Sequence, residues 1–249
     1  MSGHSKWATI KRKKGKADAE RGRMFTKLIK EITVIARDGG GDPDANPRLR
    51  TAILGAKAAN MPQDNITRAI KKGTGELPGV TYVDTSYEGY GINGVAVFIK
   101  VLTDNKNRTV AEIRHTFGRY GGNLGENGCV AWMFDNTGII TVEESVCDED
   151  TLMEIIIDAG ASDMSKQGDV FEIITPPADL EQVKSAIETK SIPIASAEIT
   201  MIPQNTVKLN EKQAASMLKL YEALEEHDDV QKVYANFDID DSIMEKLLG

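Results

Sequence analysis

The sequence predicts an α+β multidomain protein: an N-terminal three-helix domain followed by two α+β (ferredoxin-like) domains, the third inserted in the second. Three observations carry this expectation. Residues 1–72 hold 17 Lys+Arg and 7 Asp+Glu, a net of +10, whereas residues 73–249 hold 13 and 31, a net of −18. Apolar residues recur at helical spacing through most of the basic part. Beyond the Gly/Pro-rich GTGELPGVT at 73–81, the period changes to the alternation of strands. The formal net charge of −8 therefore conceals a dipolar molecule. Such asymmetry points to a polyanion as partner of the basic part.

Taken in order, residues 1–15 read as irregular, with Gly3 and Gly15 as breakers. From Lys16 to Arg37 the residues Phe25, Leu28, Ile29, Ile32, Ile35 and Ala36 form one apolar stripe. Lys27, Lys30 and Arg37 lie largely off it, so this helix is expected to bury one face and offer cations on the other. Gly39 is its stop. GGGDPDANPRLR (39–50) is a loop ending in an N-cap, Asn46, and a first helical residue, Pro47. The second helix runs to about Asn60, with Leu49, Ala52, Ile53 and Ala56 on one face. Pro62 opens a third, with Ile66, Ala69 and Ile70 inward and Gly73 as stop.

VTYVDTSYEGY and GVAVFIKVLTD read as paired strands, followed by a helix opened by DNKNRT (104–109) with Asn107 as candidate cap. GCVAWMF (128–134) reads as a further strand. Residues 137–203 then read β-α-β-β-α-β, the ferredoxin-like order. NTVKL, a helix over 211–226 and VQKVYANFD follow, and are expected to complete the sheet begun at residue 82. The domains are accordingly 1–75, 82–135 plus 204–249, and an inserted 136–203.

Composition sets bounds on function. A hydrophobic share of 41% and a charged share of 27% are those of a soluble globular protein. No apolar run approaches the roughly 20 residues that span a bilayer, so no membrane partner is expected. The two cysteines, Cys129 and Cys147, form no CxxC and sit near no histidine, and read as reduced thiols of a cytosolic protein. Neither the three scattered histidines nor DPDAN makes a metal site: Pro47 stands where a calcium loop requires Gly and Ile53 where it requires Glu. No cofactor is implied, because the glycine clusters lack a P-loop or a dinucleotide fingerprint. The acidic clusters at 143–144, 148–150 and 225–229 read as solvated charge rather than a catalytic metal site.

The basic segment carries the functional signal. His4, Lys6, Trp7, Lys11, Arg12, Lys13, Lys14, Lys16, Arg21 and Arg23, extended by Lys27 and Lys30, are the candidate nucleic-acid contacts. Lys and Arg pair with phosphates and release condensed counterions. Trp7 can stack on a base, and His4 can stack or hydrogen-bond. A base-reading head is not evident: the interhelical connections read as a long loop and a Met-Pro break, not the short turn of a helix-turn-helix.

The strings GHSKW (3–7), GGGDPDANPRLR (39–50), YEGYG (87–91), DNKNRT (104–109) and GGNLG (121–125) together resemble the YebC/PmpR family, in order along essentially the whole chain. The resemblance implies a helical domain followed by two α+β domains, in a bacterial cytoplasmic protein without enzymatic activity. It also implies a regulator of gene expression. Members are described as probable DNA-binding transcriptional regulators; mitochondrial relatives are translational activators, and bacterial ones have been linked to translation on the ribosome. The expected function is thus non-enzymatic nucleic-acid binding, with DNA or ribosomal RNA as partner. The alternatives are a ribosome-associated translation factor and a protein-interaction module with an incidental basic tail. Nothing in the sequence demands a second copy, and a monomer is the working expectation.

Overall fold

The structure, a computed structural model, describes residues 17–248. They form two compact units: residues 132–206, and the residues on both sides of that run.

The first of the three N-terminal helices is α1 (Ala17–Gly39), followed by α2 (Pro47–Ala58) and α3 (Gln63–Gly73). The apolar stripe of α1 is buried as its spacing requires: Ile32, Ile35 and Ala36 pack with Leu49, Ala52 and Ala56 of α2 and Ile66 and Ala69 of α3. Asn46 caps α2, its Oδ1 accepting from Leu49 N at 3.1 Å. Its Nδ2 donates to Gly40 O at 2.9 Å, and Arg50 donates to the carbonyls of Pro43 and Asp44. The 39–46 loop thus spends its polar groups on itself.

The Met-Pro break, read from sequence as unlike a short turn, is corrected here. Four residues, Ala59 to Pro62, connect α2 to α3. Asn60 takes the left-handed conformation (φ 59°) that ends one helix and redirects the chain. Both helices lie mainly against α1 rather than against each other.

α3 approaches α1 closely at Gly73, where a Cβ would fall 2.4 Å from Thr33 O and 2.8 Å from Ala36 Cβ. Backbone is the obstacle, so Gly73→Ala is expected to cost about 1–3 kcal/mol by overpacking. Urea denaturation checks this as a lower midpoint at unchanged slope.

After the linker come β1 (Val83–Tyr90), β2 (Ala96–Thr103), α4 (Lys106–Arg119) and β3 (Asn123–Leu124). The 132–206 unit contributes β4 (Phe134–Glu143), α5 (Glu149–Asp158), β5 (Asp163–Gln167), β6 (Val170–Thr175), α6 (Leu180–Thr189) and β7 (Ser196–Pro203). The chain then adds β8 (Val207–Lys208), α7 (Glu211–Glu225), β9 (Val230–Ala235), β10 (Phe237–Asp238) and α8 (Asp241–Leu248).

Two four-stranded antiparallel sheets result, ordered β3-β1-β2-β9 and β5-β6-β4-β7, with a parallel β8–β10 pair. In the first sheet Val97, Ile99 and Val101 alternate toward Ile113 and Phe117 of α4 and Met217, Leu220 and Tyr221 of α7. In the second, Ile140, Val142, Phe171 and Ile173 face Leu152, Ile156, Val183 and Ile187 of α5 and α6.

Two local expectations are corrected. Asn105, not Asn107, caps α4: its Oδ1 accepts from Arg108 N at 3.0 Å, and Asn107 falls inside the first turn. GCVAWMF is not a strand; β4 begins only at Phe134. The reason is hydrogen bonding. The buried Glu88 carboxylate accepts from Gly128 N (2.6 Å), Val130 N (2.7 Å) and Ala131 N (2.8 Å), so these donors are not available to a ladder.

Candidate nucleic-acid interface

His4, Lys6, Trp7, Lys11, Arg12, Lys13, Lys14 and Lys16 lie outside the described residues. Arg21, Arg23, Lys27 and Lys30 stand on α1. The last three fall at i, i+4 and i+7 and so share a face, which Val34 and Arg37 continue one and two turns on. That face is docked on the end of α7. Arg23 Nη2 meets Glu226 Oε1 at 3.3 Å. Lys27 Nζ donates to Glu225 O at 2.6 Å, a cation at the negative end of the α7 dipole. Lys30 Nζ donates to Asp228 O at 2.9 Å and Asp229 Oδ1 at 2.6 Å. Arg37 Nη1 donates to Tyr82 O at 2.6 Å, tying the linker to the same helix.

The expectation that Lys30 is offered on an outer face is therefore corrected: it is 7% exposed, its ammonium held by a buried carboxylate and set 5.5 Å from the centroid of the Tyr82 ring. The carboxylate is the centre of a network. Asp229, 3% exposed, accepts at Oδ2 from Arg108 Nη2 (2.7 Å), Thr109 Oγ1 (2.7 Å) and Thr103 Oγ1 (3.2 Å) in addition to Lys30 at Oδ1. Burial works to raise its pKa; the bonds from Lys30, Thr109 and Arg108 outweigh it and hold the carboxyl well below the ordinary range.

His227 completes the corner. Its Nδ1 accepts from Asp229 N at 3.1 Å, which turns Nε2 toward Glu112 Oε2 at 2.8 Å. The cleft alongside, about 650 Å³, is lined by carboxylates as well as cations.

The acidic clusters have local uses as well. Asp148 caps α5, and the bonds from the Thr151 backbone and hydroxyl hold its carboxyl below the usual range. Among the described residues no group of three or more His, Cys, Asp or Glu is placed to hold a metal ion. No helix among them is long and apolar enough to cross a membrane.

Five cations behave differently. Arg48 and Lys57 on α2, and Arg68, Lys71 and Lys72 on α3, are exposed and have no side-chain hydrogen bond or ion pair with a described residue. They form no run in the sequence. Their signal was compositional: from Pro47 to Gly73 there are six Lys+Arg against the single acid Asp64.

Three basic helices thus adjoin an α+β body whose acidic corner engages their inner cations. Residues 5–76 match the TACO1/YebC protein N-terminal domain, and residues 82–237 the TACO1/YebC second and third domain. The chain belongs to the TACO1/YebC family. It is 62% identical over 246 residues (98% of this chain, 100% of the relative) to a protein of Desulfatibacillum aliphaticivorans named "Probable transcriptional regulatory protein". A protein of the same name from Desulfosudis oleivorans is 60% identical over 245 residues, covering 98% of this chain and all of the relative. The crystal structure of a conserved hypothetical protein from Aquifex aeolicus superposes with a TM-score of 0.80 at 49% identity, covering 91% of this chain and 93% of that one.

Proposed function

We propose that this protein is a non-enzymatic, nucleic-acid-binding regulator of gene expression that grips phosphates with its basic N-terminal domain. The observation that carries the reading is the division of charge: +10 over residues 1–72 against −18 beyond. The acidic body keeps its broad surfaces off a polyanion, so the basic domain faces it. Relatives named as probable transcriptional regulators support a role in transcription. We read residues 1–75, 82–135 with 204–249, and 136–203 as three domains. The last is ferredoxin-like, a reading supported by its βαββαβ order and its β5-β6-β4-β7 sheet.

The phosphate set within this reading is Lys6, Lys11, Arg12, Lys13, Lys14, Lys16, Arg21 and Arg23, with Trp7 and His4 beside a base. Lys27 and Lys30 serve the contact with α7 instead; Arg23 also meets Glu226 there but remains partly exposed. Neutralising Lys11, Arg12, Lys13 and Lys14 to Gln tests this. Affinity for duplex DNA should fall, and the slope of log K against log salt should flatten by up to about 3.6, at roughly 0.9 per phosphate. An unchanged slope would remove the basic run from the interface. Parallel titrations with ribosomal RNA fragments decide whether transcription or translation is the level of action.

A further inference from the structure

The four-residue connection between α2 and α3 changes what α3 can do. Two helices joined by a turn of three or four residues, both braced on a preceding helix, are the framework in which the second helix is presented outward to nucleic acid. Here α2 and α3 meet through Ala59–Pro62 and both lean on α1. The inward side of α3 is Ile66, Ala69 and Ile70. Its outward side is Gln63, Asp64, Thr67, Arg68, Lys71 and Lys72, all exposed, with the single carboxylate in the first turn and the cations beyond it.

We propose that this outward face of α3 is a nucleic-acid contact surface: Arg68, Lys71 and Lys72 meet phosphates, and Gln63 and Thr67, one turn apart at the N-terminal end, stand beside base edges. The inference rests on the nucleic-acid reading above and locates a second contact for it.

What separates this face from an ordinary solvated one is the grouping of three exposed cations on one short helix that a four-residue turn presents. Lys71 and Lys72 occupy the last turn, where cations offset the helix dipole, but Arg68 lies a turn earlier and needs another reason. Arg23, Lys30, Arg37, Arg108, Lys166, Lys184 and Lys246 have carboxylate partners, whereas Lys208, Lys212 and Lys219 stand without one among the described residues but are not grouped on one short helix. The three on α3 have none among the described residues, although the body they adjoin is strongly acidic. Cations left unpaired beside an excess of carboxylates are available to an external anion.

The test uses the full chain with Arg68, Lys71 and Lys72 replaced by Gln, which preserves helix propensity at exposed positions. A control chain carries Lys208→Gln, Lys212→Gln and Lys219→Gln, an equal change of net charge at exposed sites of β8 and α7. Affinity is measured against salt for a DNA duplex and for an RNA hairpin. The α3 variant should lose about 2.7 from the slope on duplex DNA, so its fall in affinity between 50 and 200 mM salt should be about 40-fold smaller than the control's. The same loss on the hairpin alone would keep the phosphate face and assign it to RNA. A variant indistinguishable from the control on both would overturn the inference and leave the N-terminal run as the interface. If the unmodified chain retains neither nucleic acid at low salt, the proposed function fails first and this inference with it.

Discussion

Asp229→Ala is expected to remove about 3–5 kcal/mol of stability, because it strands the buried Lys30 ammonium without its counter-charge. Lys30 would keep only the Asp228 carbonyl and the Tyr82 ring. Lys30→Met should cost less. It leaves Asp229 with three donors, Arg108, Thr109 and Thr103, two of which also answer to its charge or hold it at 2.7 Å. This asymmetry distinguishes a hub from a simple pair, and a double-mutant cycle on Lys30 and Asp229 measures the coupling. Equal single-variant costs would contradict it.

The pH dependence follows with a definite sign. The folded-state pKa of Asp229 is depressed, so its contribution is fully present above the unfolded value of about 4 and is lost as pH falls through the lower folded value. Acid titration of stability below about pH 4 should therefore be shallower in Asp229→Asn than in the unmodified protein. The same variants report on the contact between α1 and α7. Arg23 and Lys27 are attached to the segment that Asp229 anchors.

That network shows where sequence reading stops. The stripe Phe25–Ile32–Ala36 and the Asn46–Pro47 cap were legible because each is a local matter of helical period and backbone geometry, whereas Gly73, expected as a stop, is the last helical residue and the left-handed turn falls at Gly75. Periodicity also placed Lys27 and Lys30 off the apolar stripe. It has no means of finding the carboxylate that takes Lys30, which lies 199 residues away. Asp229 itself sat in an acidic run, Glu225 to Asp229, whose ordinary reading is solvated charge. Within that run Glu226 and Asp228 are exposed and Asp229 is buried, a difference set by where β9 begins.

The candidate interface divides the same way. The N-terminal cations announce themselves as a run. Arg68, Lys71 and Lys72 are diluted among the inward residues of α3 and stand out only once the helix faces are known. The α2–α3 turn is hidden in the sequence because Met61 and Pro62 resemble an extended break, whereas Asn60 makes the reversal.

Glu88 supplies the other large effect. It is a carboxylate 3% exposed on β1, and its partners are three backbone N–H groups 40 to 43 residues downstream. Charge-assisted bonds of this kind contribute about 1.5–3 kcal/mol each, and a buried donor left without an acceptor costs about 1–3 kcal/mol. Because the 126–131 segment can relax toward water, the costs do not add fully. Glu88→Ala is expected to destabilise by about 3–4 kcal/mol.

Glu88→Gln keeps the volume but turns an amide N–H₂ toward backbone donors, so at least one of Gly128, Val130 and Ala131 loses its acceptor. Hydrogen exchange separates this account from a general loss of packing. The amides of Gly128, Val130 and Ala131 should exchange much faster in Glu88→Gln, while those of β2, paired to β1 through Val83–Tyr90, keep their protection. Uniform loss across β1 and β2 would mean that Glu88 acts through the sheet. Faster exchange confined to the segment would mean that a single side chain keeps GCVAWMF from pairing as a strand, and so fixes where β4 can begin.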